Sequence, residues 1–151
     1  MDSITAKKQR FQLTNKRKDQ LIHIICLLFV FLFIYTAYAK IMDHRRFLNG
    51  LHHVEVIGPF AGYISWLVPS AEVIIAVLLV VPRTLKWGFY SFISLMTLFT
   101  VYILSMLLWA SKLPCHCGGA IEKLSWGQHV WFNLAFIALA IFALRLLKTK
   151  N

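Results

Sequence analysis

The stretch Leu21-Ile-His-Ile-Ile-Cys-Leu-Leu-Phe-Val-Phe-Leu-Phe-Ile-Tyr-Thr-Ala-Tyr-Ala39 decides the fold, because it holds nineteen residues with His23 as its sole ionisable group of note. At about 1.5 Å per residue it covers roughly 30 Å, the thickness of a bilayer's hydrocarbon core. Three further stretches repeat the pattern: residues 62–81 with Glu72 near the middle, 87–110 with no charge, and 126–147. Trp87, Trp109, Trp126 and Trp131 fall near the expected ends, where interfacial tryptophans sit. Arg145 and Lys148 at the last end can extend towards phosphate.

Composition agrees. Of 151 residues, 59% are apolar and 15% charged, with a mean hydropathy of +0.67, whereas a soluble domain carries about 25% charge. Sixteen Lys and Arg against six Asp and Glu would suit a nucleic-acid binder, but the basic residues stand in short clusters between apolar runs. Their natural partner is the anionic bilayer surface, and no nucleic-acid partner is expected.

Eleven of the sixteen basic residues lie in three places: an amino-terminal tail (Lys7, Lys8, Arg10, Lys16, Arg17, Lys18), the turn with Arg83 and Lys86, and a tail with Arg145, Lys148 and Lys150. Basic loops stay cytoplasmic, so both termini are expected there, with residues 40–61 and 111–127 on the opposite face. The basic tail, apolar run and Ala37-Tyr38-Ala39 mimic a cleavable signal, but the run exceeds the roughly 7 to 15 residues of a signal core, so an uncleaved helix is expected. With short connections and no internal repeat, the chain reads as one all-α membrane protein. The expected architecture is an antiparallel four-helix transmembrane bundle over residues 21–147, between cytoplasmic tails at 1–20 and 148–151. In the first outer loop, Phe47, Leu48, Leu51 and Val54 recur at helical spacing beside Arg45, Arg46, His52 and His53. This predicts a short helix lying in the interface, ended by Gly58-Pro59.

The second outer loop reads Pro114-Cys115-His116-Cys117-Gly118-Gly119. Pro and paired Gly turn the backbone and leave it open to approach. Two thiols one residue apart on the oxidising side of a membrane are suited to cycling with a disulfide. The small ring departs from relaxed geometry, which makes its bond easier to reduce. His116 and Lys112 stand close enough in sequence to favour a thiolate. Two other readings stay open: copper or zinc held by Cys115, Cys117 and the outer histidines 44, 52, 53, 116 and 129, and a static bridge closing the turn. Cys-x-Cys alone supplies only two ligands, so no metal site is assigned.

These residues carry a resemblance. The exit Tyr38-Ala-Lys40, Pro69-Ser-Ala-Glu72, Phe99-Thr-Val-Tyr102, Cys115-His-Cys117-Gly118-Gly119, Leu124-Ser-Trp126 and Asn133 are similar to the MauE branch of the DoxX-like membrane proteins, over about residues 21–145. The resemblance implies a redox-associated protein of the bacterial inner membrane that assists disulfide chemistry in maturing periplasmic proteins. In the type case the client is methylamine dehydrogenase, with its disulfide-dense small subunit. It names no client for this chain.

Membrane oxidases of the DsbB or vitamin K epoxide reductase type relay electrons to quinone through two outer thiol pairs, and this chain has one. Cys26 lies about 13 residues, or roughly 20 Å, below the outer end of its helix and is expected to be a packing residue. The route expected for Cys115 and Cys117 is therefore exchange with a periplasmic thioredoxin-like partner or client. Transfer to a bound quinone is the second route, for which the sequence specifies no evident polar groups.

A charged Glu72 inside its span costs at least about 2.5 to 3.5 kcal/mol and must find a partner. Helix depths nominate Thr100, Tyr102 and Asn133, with Tyr35 or Tyr38, in a proton relay or a clamp between helices. His129 starts the fourth helix twelve positions after Cys117 and is the candidate base for a thiol, while His23 reads as interfacial.

Overall fold

The computed structural model describes residues 15–52, 57–109 and 126–149. Among these residues five α-helices follow in order: α1 Asn15–Met42, α2 His44–His52, α3 Ala61–Val80, α4 Leu85–Trp109 and α5 Trp126–Lys148. A 3-10 turn, Gly58–Phe60, leads into α3. No strand occurs among the described residues. Four of the helices are long and apolar enough to cross a membrane.

The expected spans are all present, and the first is longer than the apolar run. Helix α1 extends from Asn15 to Met42, about 42 Å, because Lys16, Arg17, Lys18, Asp19 and Gln20 are adequate helix formers that continue the apolar segment. Helix α1 packs on α3, α3 on α4, α4 on α5, and α5 back on α1. The bundle is thus a closed antiparallel ring in chain order. Lys18 Nζ lies 3.4 Å from Thr149 Oγ1, so the two outer helices of the sequence begin and end together.

Each span carries one buried stripe at helical spacing. On α1 it is Ile22, Cys26, Phe29, Phe33 and Ala37; on α3 it is Ala61, Ser65, Pro69, Glu72, Ala76 and Leu79. Helix α4 gives Phe89, Phe92, Met96, Thr100 and Ile103, and α5 gives Asn133, Ala140, Ala143 and Leu144. Only between 28% and 33% of each spanning window is buried inside the protein. The remaining surface, including Leu27, Phe31, Ile74, Leu98 and Trp131, is exposed and apolar, which is tolerable only if hydrocarbon covers it.

Lipid tails are as apolar as the core, so the helices associate through close packing rather than transfer from water. Phe29 stacks on Phe92 with ring centroids 4.0 Å apart and planes 4° from parallel. Phe33 lies against the same ring at 4.5 Å, while Phe89 meets Phe29 edge-on at 6.1 Å. Cys26 belongs to this core, as a small buried packing residue. Nearer the terminal end, α3 and α4 approach so closely at Gly88 that a Cβ there would stand 3.0 Å from backbone atoms of Leu78 and Leu79.

The predicted short helix exists as α2, and it is packed on the bundle. Asp43 N bonds to Ala39 O and Phe47 N to Asp43 O, both at 3.1 Å, so helical bonding carries across the α1–α2 junction. Phe47 and Leu51 are buried with Ala61, against Leu48, Ile57, Ile64 and Val68. Arg45, Arg46 and His52 are exposed. His53 and Val54 lie outside the described residues. Gly58-Pro59 opens the 3-10 turn before α3, and Ala61 N bonds to Gly58 O.

Candidate functional site

Glu72 is 1% exposed, and its partner is Lys40: Nζ donates to Oε1 at 2.7 Å. This replaces the expected contacts with Thr100, Tyr102, Asn133 and the two tyrosines. Thr100 instead donates its hydroxyl to Met96 O at 2.8 Å within its own helix. Tyr35 and Tyr38 are 40% and 60% exposed on the outer wall of α1. Asn133 is buried on α5, and Tyr102 is half-buried on α4.

The reason lies in the length of α1. Ending that span at Ala39 places Lys40 in the outer loop, free to reach water. The helix in fact continues to Met42, and Lys40 falls seven residues after Phe33, on the stripe that faces the bundle. Helical side chains lean towards the amino-terminal end, which on α1 points Lys40 inward and down to Glu72. A lysine at the end of a span ordinarily extends to the interface; this one is held back by a carboxylate.

The surroundings use the ammonium fully. Its second neighbour is Thr36 O at 3.5 Å. The rings of Phe47 and Phe99 lie 5.9 and 5.6 Å from Nζ, within reach of a cation–π interaction. Helix α2 therefore covers the pair from one side through Phe47, and α4 from another through Phe99.

The carboxylate is less completely satisfied. Oε2 of Glu72 is buried with no hydrogen-bond partner among the described residues. The Thr36 hydroxyl is within hydrogen-bonding reach of the carboxyl and has Phe33 O, at 3.2 Å, as its alternative acceptor. One turn beyond Lys40, His44 lies against the Trp66 ring with centroids 4.5 Å apart, and its Nδ1 is likewise buried without a partner among the described residues. A step above, Pro69 cannot donate a backbone hydrogen bond to Ser65 O, as an ordinary residue would. The Ser65 hydroxyl donates to Gly62 O at 2.8 Å.

Of the residues nominated from sequence, Glu72, Thr100, Tyr102, Asn133 and His129 lie within described helices. His129 is half-buried in the first turns of α5. Pro114, Cys115, His116, Cys117, Gly118 and Gly119, which join α4 to α5, lie outside the described residues. His23 is exposed, its Nδ1 3.0 Å from Asp19 O. No group of three or more His, Cys, Asp or Glu side chains able to hold a metal occurs among the described residues. Sequence reasoning missed Lys40, His44, Phe47 and Phe99 as parts of one site. Extending the stripe of α1 by one more turn was the available signal.

A multi-pass membrane protein with an ion pair closed inside its helix bundle is the class that this architecture defines. The chain belongs to the family of the methylamine utilisation protein MauE, whose family model matches residues 18–146. That match takes in all four spans and the segment between α4 and α5. Neither the curated proteins nor the solved structures give a significant match to this chain.

Proposed function

We propose that this protein assists thiol-disulfide exchange on the extracytoplasmic side of a bacterial inner membrane, with Cys115 and Cys117 as the exchanging pair. The observation that carries the reading is the spacing Cys115-His116-Cys117 in the stretch of sequence between α4 and α5. Membership of the MauE family supports it, as does the gathering of eleven basic residues in the two tails and the α3–α4 turn, the pattern of a cytoplasmic face.

In the proposed step a thiolate of a periplasmic thioredoxin-like protein or client attacks one sulfur of the Cys115–Cys117 disulfide. The S–S bond breaks as a mixed disulfide forms. The partner's second thiolate then resolves that bond. The partner leaves oxidised, and the pair here keeps two electrons and two protons as a dithiol; the reverse sequence reduces the partner. Pro114, Gly118 and Gly119 are the turn-forming residue types beside the pair in sequence. His116, and His129 at the start of α5, are the bases proposed to hold a proton beside a thiol.

The test is covalent trapping. Cys117→Ser and Cys115→Ser, each expressed singly in its native host, should leave one of the two proteins in a mixed disulfide that reducing agent releases. Stoichiometric copper or zinc that is lost on changing His116 would replace this reading with metal binding. A double Ser variant with full function would leave only a scaffold.

A further inference from the structure

The start of α1 and the end of α5 meet at a patch of uncompensated positive charge. Lys18 stands one turn before Ile22 on the bundle-facing stripe of α1 and is half-buried. Its Nζ donates to Thr149 Oγ1 at 3.4 Å, and that hydroxyl's own proton goes to Leu146 O at 2.9 Å. Thr149 N bonds to Arg145 O at 3.1 Å, which closes the last helical turn and sets Arg145, Lys148 and Thr149 on one exposed edge of α5. Folding thus gathers Lys18, Arg145 and Lys148, which the sequence holds at opposite ends of the chain.

None of the three makes an ion pair among the described residues, whereas Lys40 and Arg46 have carboxylates at 2.7 and 3.7 Å. Lys16, Arg17, Arg83 and Lys86 bring four more cations to this end of the bundle, and Asp19 is the one acid there among the described residues. Such a patch repels itself until an anion joins it.

What lies below the patch decides which anion fits. From Arg145 the exposed edge of α5 runs on into the bilayer through Phe142, Ile141 and Leu134 at helical spacing. Arg145 lies inside the apolar run, so its guanidinium reaches the surface by extending along the helix. An apolar row that ends in cations has the layout of a phospholipid, with tail below and phosphate above. A zwitterionic head carries its own ammonium into a patch that is already positive; an anionic head does not.

We propose that Lys18, Arg145 and Lys148 form a binding site for one anionic phospholipid, with its phosphate among the three side chains and an acyl chain along Phe142, Ile141 and Leu134. The Arg145 guanidinium offers paired N–H donors to phosphate oxygens, and the two ammonium groups act as point charges beside it. Thr149 positions Lys18 for that role. The bound lipid bridges α1 and α5 where the ring of helices closes. This site is independent of the thiol chemistry proposed above.

The experiment is native mass spectrometry of the full chain released from detergent micelles. It is titrated with phosphatidylglycerol, with phosphatidylcholine of the same acyl chains, and with glycerol phosphate, which has the phosphate without tails. One phosphatidylglycerol is expected to saturate the parent at a concentration at least about tenfold below that of phosphatidylcholine, and glycerol phosphate is expected not to displace it. The variant Lys18→Gln/Arg145→Gln/Lys148→Gln should bind both lipids alike. Thermal unfolding checks its fold, and Arg145→Gln/Lys148→Gln, which alters exposed side chains alone, should lose most of the preference should the half-buried Lys18 prove necessary for folding. Arg45→Gln/Arg46→Gln, which removes two exposed cations at the opposite end, should bind as the parent does. Equal affinity of the parent for the two lipids, a preference kept by both site variants, an equal loss in the Arg45 and Arg46 variant, or displacement of the lipid by glycerol phosphate would overturn the proposal.

Discussion

Lys40 Nζ and Glu72 Oε1 stand 2.7 Å apart inside the bundle, joining the end of α1 to the middle of α3. Removing one member leaves the other buried and unbalanced, which costs about 3 to 5 kcal/mol, whereas replacing both by apolar groups of similar size can be close to neutral. Lys40→Met and Glu72→Met are each expected to lower the unfolding temperature in detergent well below the parent's. The double variant is expected to recover most of the loss. Equal, additive losses in the double-mutant cycle would show that the two residues do not act as a pair.

Gly88 faces the backbone of Leu78 and Leu79 with no room for a side chain. Gly88→Ala should cost about 1 to 3 kcal/mol through forced separation of α3 and α4. Gly62→Ala and Gly127→Ala, where nothing lies within 4 Å of the new methyl, should be neutral or stabilise by up to about 1 kcal/mol through helix propensity. Thermal unfolding of the three variants side by side checks both statements.

Phe29 is fully buried and touches Phe89, Phe92 and Phe136. Phe29→Ala should destabilise by roughly 3 kcal/mol, the lower part of the range for such truncations, because the surrounding solvent is hydrocarbon rather than water. Phe31→Ala, on the exposed side of the same helix, should change stability by less than about 1 kcal/mol. Chemical unfolding in mixed micelles distinguishes them.

Cys26 packs in the core among Phe29, Ile22 and Ile25 and is closed off from aqueous reagents. In the folded, reduced protein a membrane-impermeant maleimide applied to spheroplasts should label Cys115 and Cys117 and leave Cys26 untouched. Cys26→Ala should retain full exchange activity. Labelling of the pair only after the inner membrane is opened would reverse the orientation proposed here.

The four spans were legible because each is an unbroken apolar run of the required length, and the buried stripes follow from a period of 3.6 within them. The existence of α2 was legible in the same way, from Phe47, Leu48 and Leu51. Its packing on α3 was not, since an amphipathic stripe looks alike whether it meets lipid or protein. Glu72 announced itself as a charge out of place. Its partner did not, because Lys40 follows the apolar run directly and a basic residue there ordinarily marks the membrane surface. The pairing depended on two further residues of helix, Ile41 and Met42, which hold Lys40 inside the regular backbone. His44 as part of the site depended on α2 continuing from α1, a tertiary matter that its own neighbours in sequence do not encode.

The contact between Lys18 and Thr149 has a use for the engineer. Since the start of α1 lies beside the end of α5, two copies of the bundle can be spliced in tandem through a modest hydrophilic bridge, with no added crossing and no inversion of the second copy. Reporters placed at the start of α1 and at the end of α5 are expected to lie on one side of the bundle.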